Sequence, residues 1–386
     1  MQKVPEERIY MRIVSGACTS AKIFTDTIED YALAQIQMLI DHPAFQGSRV
    51  RIMPDVHPGK VGTIGFTATL TDRVLPNVVG GDVGCGMTLA KLKQTKTEFQ
   101  KLDVVIRELV PSGAMTRKKI HRFGANFDAA RLRCVEHVNL ERTARSLGTL
   151  GGGNHFIEMD RDEEGSLYVV IHSGSRHLGT EVTAYYLKAG QQYLKNQGIQ
   201  MPYELVYLEG ALMEDYIHDV SVVQEFAALN REAILDELTK GMQWKLQECY
   251  SCAHNYIDTS ETGQGGEPVI RKGAISAKEG ERVIIPINMR DGVILGTGLG
   301  NEDWNSSAPH GAGRIMKRQD VKAHFTVSQY KKEMQGIYSS CIGKGTLDEA
   351  PMAYRSLEQI RETLSETVKI DRILKPVYNF KAGGEE

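Results

Sequence analysis

Gly80-Gly81-Asp82-Val83-Gly84-Cys85-Gly86 runs straight into Met87-Thr88-Leu89-Ala90-Lys91-Leu92, a glycine nest feeding a strand-like run. Glycine lets the backbone turn tightly or come close to a ligand, so such nests mark where chemistry is to be sought. Further nests lie at 148–153, 292–300 and 311–313. Between them, VRIM at 50–53, LYVVIHS at 167–173, RVIIPI at 282–287 and GVILG at 292–296 read as strands. A helix is predicted after Asp26, where Glu29 is placed as in a capping box and Ile28, Ala32, Ile36 and Leu39 share a face. Helical periodicity recurs over 97–110, 180–196, 222–247 and 356–374, the last through Leu357, Ile360, Leu364 and Val368. The fold class is therefore α/β, in the loose α+β sense. No period of 20–50 residues and no low-complexity tract appears, and the one long linker-like stretch is 258–268. One large domain over 1–386 is expected, with a basic helical segment at 97–146.

The chain has 386 residues, 41% hydrophobic and 25% charged, a balance that excludes disorder as its main state. No run of about 18 apolar residues occurs. The opening MQKVPEERIYMRIVSG lacks the layout of a secretory signal, so a cytoplasmic protein without a membrane partner is expected. Six cysteines are too sparse for a disulfide framework, which leaves any special cysteine to metal or redox chemistry. A net charge of -3 argues against a surface that coats nucleic acid throughout, but not against a local patch. Such a patch lies at 117–145, where Arg117, Lys118, Lys119, Arg122, Arg131, Arg133, Arg142 and Arg145 face only Asp128, Glu136 and Glu141. That net of +5 suits an RNA backbone, or equally a solvated helix face.

Asp82 and Cys85 could converge on one cation from within their nest, although a buried cysteine beside a turn aspartate is the ordinary reading of that pair alone. His155 follows a Gly-Gly-Gly-Asn loop, His172 ends the run LYVVIHS, and His254 stands in CAHNY. Each by itself would be a hydrogen-bonded structural histidine. Together with Asp82 and Cys85 they make one or two divalent ions the economical account. Gly296-Thr297-Gly298-Leu299-Gly300 brings its third glycine one position early for a dinucleotide loop, and no G-x-x-x-x-G-K-[ST] exists. Cys249-x-x-Cys252 lacks a second pair and reads as the end of a long helix. His310 stands in PHGAGR, where Gly311 and Gly313 remove side chains around the imidazole and Arg314 offers a planar fork suited to phosphate. The imidazole is either a nucleophile toward phosphorus or the cap of a helix over 314–325.

PDVHPGKVGTIG at 54–65, GGDVGCGM at 80–87, GTLGGGNHFIE at 148–158, IHSGSR at 171–176, AHNY at 253–256, RKGA at 271–274, GNEDWNSSAPHGAGR at 300–314, DEAPMAY at 348–354 and LKPVYNFK at 374–381 resemble, in order, the blocks of the RtcB RNA ligases. The resemblance implies a single RtcB-like domain with a central metal- and nucleotide-binding cleft. It implies a ligase that joins RNA 3′-phosphate or 2′,3′-cyclic phosphate ends to 5′-hydroxyl ends with GTP and two Mn2+, in RNA repair or splicing, through a guanylylated histidine. By the same resemblance Asp82, Cys85 and His155 would hold one manganese and Cys85, His172 and His254 the other, and His310 would carry GMP. The guanylate would meet Asn154, His155, Phe156, Ile157, Glu158, His254, Asn255, Pro286, Ile287, Asn288, Met289, His310, Gly311, Ala312, Gly313 and Lys381, while Arg176 would touch RNA phosphate. A monomer is expected, with room for an accessory or activating protein. The chain departs from the family's P-G-S-M at Ile287 and Asn288, and a serine usual seven residues after the proline is Val293. Asn288 could supply an equivalent hydrogen bond. These departures keep open an end-processing enzyme that opens cyclic phosphates or caps 3′-phosphates but seals weakly. A non-catalytic RNA-binding protein is the remaining alternative.

Overall fold

The computed structural model describes residues 11–260 and 266–382. Its centre is an antiparallel seven-stranded sheet in the order Leu246–Ala253, Gly86–Leu92, Leu167–Ser173, Phe156–Arg161, Val368–Lys381, Gly292–Gly298, Arg282–Asn288. Strand alternation gives this sheet two apolar faces. Ala90, Leu92, Ile157, Met159, Val169 and Ile171 pack outward on Leu102 and Ile106 of helix Phe99–Leu109 and on Ile234 and Leu238 of the long helix Gly210–Met242. Met87, Leu89, Phe156, Tyr168, Val170, Ile284, Val293 and Leu374 cluster on the other face. They can meet because the sheet curls until its edge strands touch: Arg282 stacks 3.7 Å from the Tyr250 ring centre, and the Cys252 thiol donates to the Arg282 carbonyl. The result is a half-barrel with a concave interior.

A six-stranded sheet lies beside it, in the order Arg12–Ser15, Ser20–Ile23, Val50–Pro58, Thr63–Thr69, Val269–Lys272, Asn255–Asp258. Its core joins Ile36 and Leu39 of helix Asp30–Ile40 to Val182 and Tyr186 of helix His177–Asn196 and to Val220 and Val223 of the long helix. Each fully buried Ile or Leu contributes about 1.5–3 kcal/mol relative to an exposed one. Long helix and sheets are thereby one packed body. Among the described residues no helix is long and apolar enough to cross a membrane.

Several expectations need correction. The first helix begins at Asp30, and Glu29 makes no side-chain cap, so no capping box forms. The helix expected over 222–247 runs from Gly210 to Met242 and stops at Gln243, which adopts φ +58°. Cys249 and Cys252 therefore lie on an edge strand, not a helix end. The periodicity over 356–374 covers a short helix, Leu357–Leu364, and the start of strand Val368–Lys381. The segment 97–146 is α-helical only at Phe99–Leu109 and Leu140–Ser146, with 3-10 turns between. His310 caps no helix, since the one after it begins at Arg318 behind Lys317. Part of the linker-like stretch, 261–265, falls outside the described residues.

Candidate active site

Sheet register explains why residues distant in sequence meet. Gly86 pairs with Ala253 on one side and Ser173 on the other, while His172 pairs with Phe156. Cys85, His254, His172 and His155 therefore sit at the same end of four neighbouring strands. Asp82 joins them from the nest, where Gly84 holds φ +71° and any Cβ would press on Gln224 of the long helix. Gly174 serves similarly, because a side chain there would collide with the Asp82 carboxylate.

Two groups of donors result, Asp82–Cys85–His155 and Cys85–His172–His254, each with its ligand atoms within 4.8 Å of one another. Cys85 Sγ lies 3.4 Å from His155 Nε2 and 3.3 Å from His172 Nε2, and His155 Nε2 lies 3.2 Å from Asp82 Oδ2. His155 Nδ1 donates to the Leu150 carbonyl and His172 Nδ1 to the Asn154 carbonyl, which turns each bare Nε2 inward. Burial holds His172 and His254 well below the ordinary histidine range, so both are neutral. Burial, then Asp82, pushes the Cys85 thiol up, against the opposing charges of Arg231 and Arg176. The His172 and His254 Nε2 atoms face each other at 3.3 Å. Converging lone pairs, a thiol beside a carboxylate and closed surroundings fit divalent ions, whose charge would favour the thiolate.

His310 stands on one side of this cluster, its ring centre 5.0 Å from that of His254. Its Nδ1 donates to Asp55 Oδ2 at 2.7 Å, and its backbone N–H reaches the same oxygen at 3.2 Å. Nε2 is left as the free nitrogen. The cavity here is lined by Asn154, Phe156, Glu158, His172, His254, Pro286, Ile287, Asn288, Met289, His310, Gly311, Ala312, Gly313 and Lys381. Lys381 pairs with buried Glu349, which also holds Arg314 and Arg318. Glu349 consequently stays ionised, its pKa raised by burial but brought down on balance to about 2 by those cations.

A second cavity of about 690 Å³ opens on the other side of the cluster, lined by Asp82, His155, Asn154, Arg142, Arg176 and Lys272 among others. Arg176 donates to the Gly113 carbonyl at 3.1 Å and approaches His155 Nδ1 at 3.4 Å. It does so from φ +57°, a backbone conformation that costs a non-glycine residue about 1–3 kcal/mol and is kept where a side chain must be aimed.

Some expected residues lie elsewhere, and others are held by partners of their own. Ile157 points into the core between sheet and helices, and Asn255 is occupied with the Gly273 N–H and the Asp82 carbonyl. Arg314 lines the cavity, but its fork is engaged: it donates to Glu349, the Tyr354 hydroxyl and the Asp348 carbonyl. Asn288 bonds to Asp291 and the Arg290 N–H, closing its own turn, and Val293 is fully buried in the half-barrel. The basic segment is largely neutralised, with Arg117 on Glu237, Arg122 on Asp236, Arg131 on Glu225 and Arg133 near Asp215. Lys118 and Lys119 are exposed. Asp55 and Glu349 were missed as site residues; both stand inside the quoted blocks PDVHPGKVGTIG and DEAPMAY, the only available signal.

Fold and cluster together define a mixed α/β protein built around a buried thiol, imidazole and carboxylate site able to hold divalent metal. The family described as tRNA-splicing ligase RtcB matches over 35–127 and 116–382, and the chain belongs to that family. It is 32% identical to the RNA-splicing ligase RtcB of Escherichia coli K12 over 86% of this chain and 90% of that one. It is 27% identical to the RNA-splicing ligase RtcB2 of another E. coli strain over 97% and 98%, and 26% identical to the tRNA-splicing ligase RtcB of Nanoarchaeum equitans over 93% and 92%.

Proposed function

We propose that this chain seals RNA 3′-phosphate or 2′,3′-cyclic phosphate ends to 5′-hydroxyl ends, using GTP and two Mn2+. The carrying observation is His310, oriented by Asp55 at the border of a donor set that shares Cys85. Asp82, Cys85 and His155 would hold one ion and Cys85, His172 and His254 the other; bound there, they supply charge that neutralises phosphate. Asp55 accepts a hydrogen bond from Nδ1–H, which leaves the Nε2 lone pair free to attack the α-phosphorus of GTP as pyrophosphate leaves. Asp55 then balances the positive imidazole. The guanylate passes to the RNA 3′-phosphate, and the 5′-hydroxyl attacks that activated phosphorus with loss of GMP. Two cavities on opposite sides of the donor set support this order, one for nucleotide beside Glu158 and Lys381, one for RNA beside Arg176.

The test is incubation with labelled GTP and manganese, then with a broken RNA bearing 3′-phosphate and 5′-hydroxyl ends. An acid-labile GMP adduct that disappears as sealed RNA forms is expected. RNA capped with GMP but left unsealed would mark the end-processing reading; no adduct at all would mark the RNA-binding one.

The neutralised arginines also alter the expected RNA grip. Replacing Lys118 and Lys119 with alanine should flatten the slope of log affinity against log salt by about 1.4, at about 0.7 per contact with single-stranded RNA. Guanylylation should be unaffected. Arg117→Ala should instead cost about 1–3 kcal/mol of stability by stranding Glu237 and the Leu109 carbonyl, measurable by urea unfolding. An unchanged slope in the double lysine variant would place the RNA path at Arg176 and Arg142.

A further inference from the structure

Strand Phe156–Arg161 places Phe156, Glu158 and Asp160 on the concave face of the half-barrel, with Glu158 lining the nucleotide cavity. Glu158 is 2% exposed and Asp160 is 0% exposed. Glu158 Oε2 accepts from Asn379 Nδ2 at 2.5 Å and has Lys381 nearby. Asp160 has neither: among the described residues no N–H or hydroxyl reaches either of its oxygens, and its one polar contact is the Glu158 carboxyl. Two carboxylates cannot both be ionised in contact in such a place.

We propose that Asp160 carries a proton and donates it in a hydrogen bond to Glu158, so that Glu158 meets the cavity as a carboxylate shaped to accept from the N1–H and amino edge of guanine. This rests on the reading of that cavity as a guanine-nucleotide site. Asp160 is then a positioning residue for base selection. The proton falls to Asp160 because Glu158 alone has the amide and the lysine to favour its charged form. Burial, then the Glu158 charge, raises the Asp160 carboxyl well above the carboxylate range. Burial raises Glu158 only to about 7, with Asn379 and Lys381 acting against it.

The other ionisable groups around the pair are committed elsewhere. On the flanking strands Tyr168 bonds to Asp162, Arg372 pairs with Asp162 and Glu164, and Lys381 pairs with Glu349. Lys91 lies over the Tyr168 ring, while Arg282 of the far edge strand pairs with Glu248 and stacks on Tyr250. Strand Gly292–Gly298 contributes no ionisable side chain. Tyr250 and Cys252, packed at the rim of the same cluster, are both pushed up to about 12 by burial and stay neutral.

Two readouts test the proposal on the full chain. The first needs no nucleotide: at about pH 8 the infrared difference between wild type and Asp160→Asn should show the loss of one protonated-carboxyl C=O band. Glu158→Gln should shift the same band, because Asp160 stays buried and protonated but then donates to a neutral amide oxygen in place of a carboxylate; this keeps the test alive if Asp160→Asn fails to fold. The second is GTP affinity of the metal-loaded protein against pH. In wild type it should rise as Glu158 ionises and fall at alkaline pH as Asp160 ionises. Asp160→Asn should remove the part of the alkaline fall that belongs to Asp160 and leave only that set by loss of the guanine N1 proton itself. Asp160→Leu, lacking a donor, should move the acid limb up by about one pH unit, an approximately fivefold loss at neutrality that approaches tenfold at lower pH. A band retained in Asp160→Asn or unmoved in Glu158→Gln, or parallel pH profiles in all forms, overturns the shared proton. A lost band with no GTP binding at any pH keeps the proton pair and overturns the nucleotide reading.

Discussion

Replacing His310 with alanine is expected to remove covalent GMP attachment, a fall of at least ~10³-fold in adduct formation, with metal content unchanged. Among the described residues, the imidazole is the one group at the cavity border whose Nδ1 is fixed by a buried carboxylate while Nε2 is left free. The fold should tolerate the change. Asp55 keeps the His310 backbone N–H, so the stability cost is about 1 kcal/mol for one lost side-chain bond. Asp55→Asn separates orientation from charge: its amide oxygen can still accept from Nδ1, but no anion balances the imidazole once phosphorus is bound. Adduct formation should slow about 10–100-fold with little change in the KM for GTP. Label retained on His310→Ala would refute the nucleophile assignment, and an adduct mapped to His155 or His254 would show that ligand and nucleophile had been exchanged.

Cys85→Ala should strip both ions from the chain, because its sulfur belongs to both donor groups. Removing it deprives each ion of a ligand and leaves two like charges unscreened a few ångströms apart. Serine should not restore binding, since an alcohol stays protonated near neutrality where a metal-bound thiol ionises. Metal analysis after dialysis against manganese reads the outcome directly; one ion retained at full occupancy would assign Cys85 to a single site. The soft donors also predict that zinc displaces manganese, which stands at the weak end of the divalent series, and that excess zinc inhibits.

The cluster was legible in the sequence because its members stand in glycine-rich or polar settings at strand ends, and strand ends are where register brings distant residues together. Asp55 was not, because its partner lies 255 positions away and nothing local marks an aspartate that orients a histidine. The basic segment was left between two readings for the same reason. Its countercharges Glu225, Asp236 and Glu237 come from the long helix 94 to 120 positions on, so a net charge counted in a window describes the chain and not the surface. Helix ends failed where no punctuation was written. Gln243 takes a left-handed cap that glycine or asparagine would normally announce, and Val368 extends a helical spacing while starting a strand. The departures at Ile287, Asn288 and Val293 were visible as departures, but only packing showed that the Asn288 side chain is spent on its own turn and that Val293 belongs to the half-barrel interior.

Strand Val368–Lys381 lies in the middle of the curled sheet, between Phe156–Arg161 and Gly292–Gly298, and carries Asn379 and Lys381 to the cavity beside His310. A ribosome delivering this chain therefore produces both halves of the half-barrel before the stave that joins them. Until residues 368–381 emerge, two long strand edges face solvent with their hydrogen bonds unmade, an invitation to pair with another nascent chain. Insertion of the strand closes the sheet and completes the cavity in one late, long-range step. Catalytic competence thus arrives only when synthesis of that strand is finished, and chaperone demand should be greatest just before it.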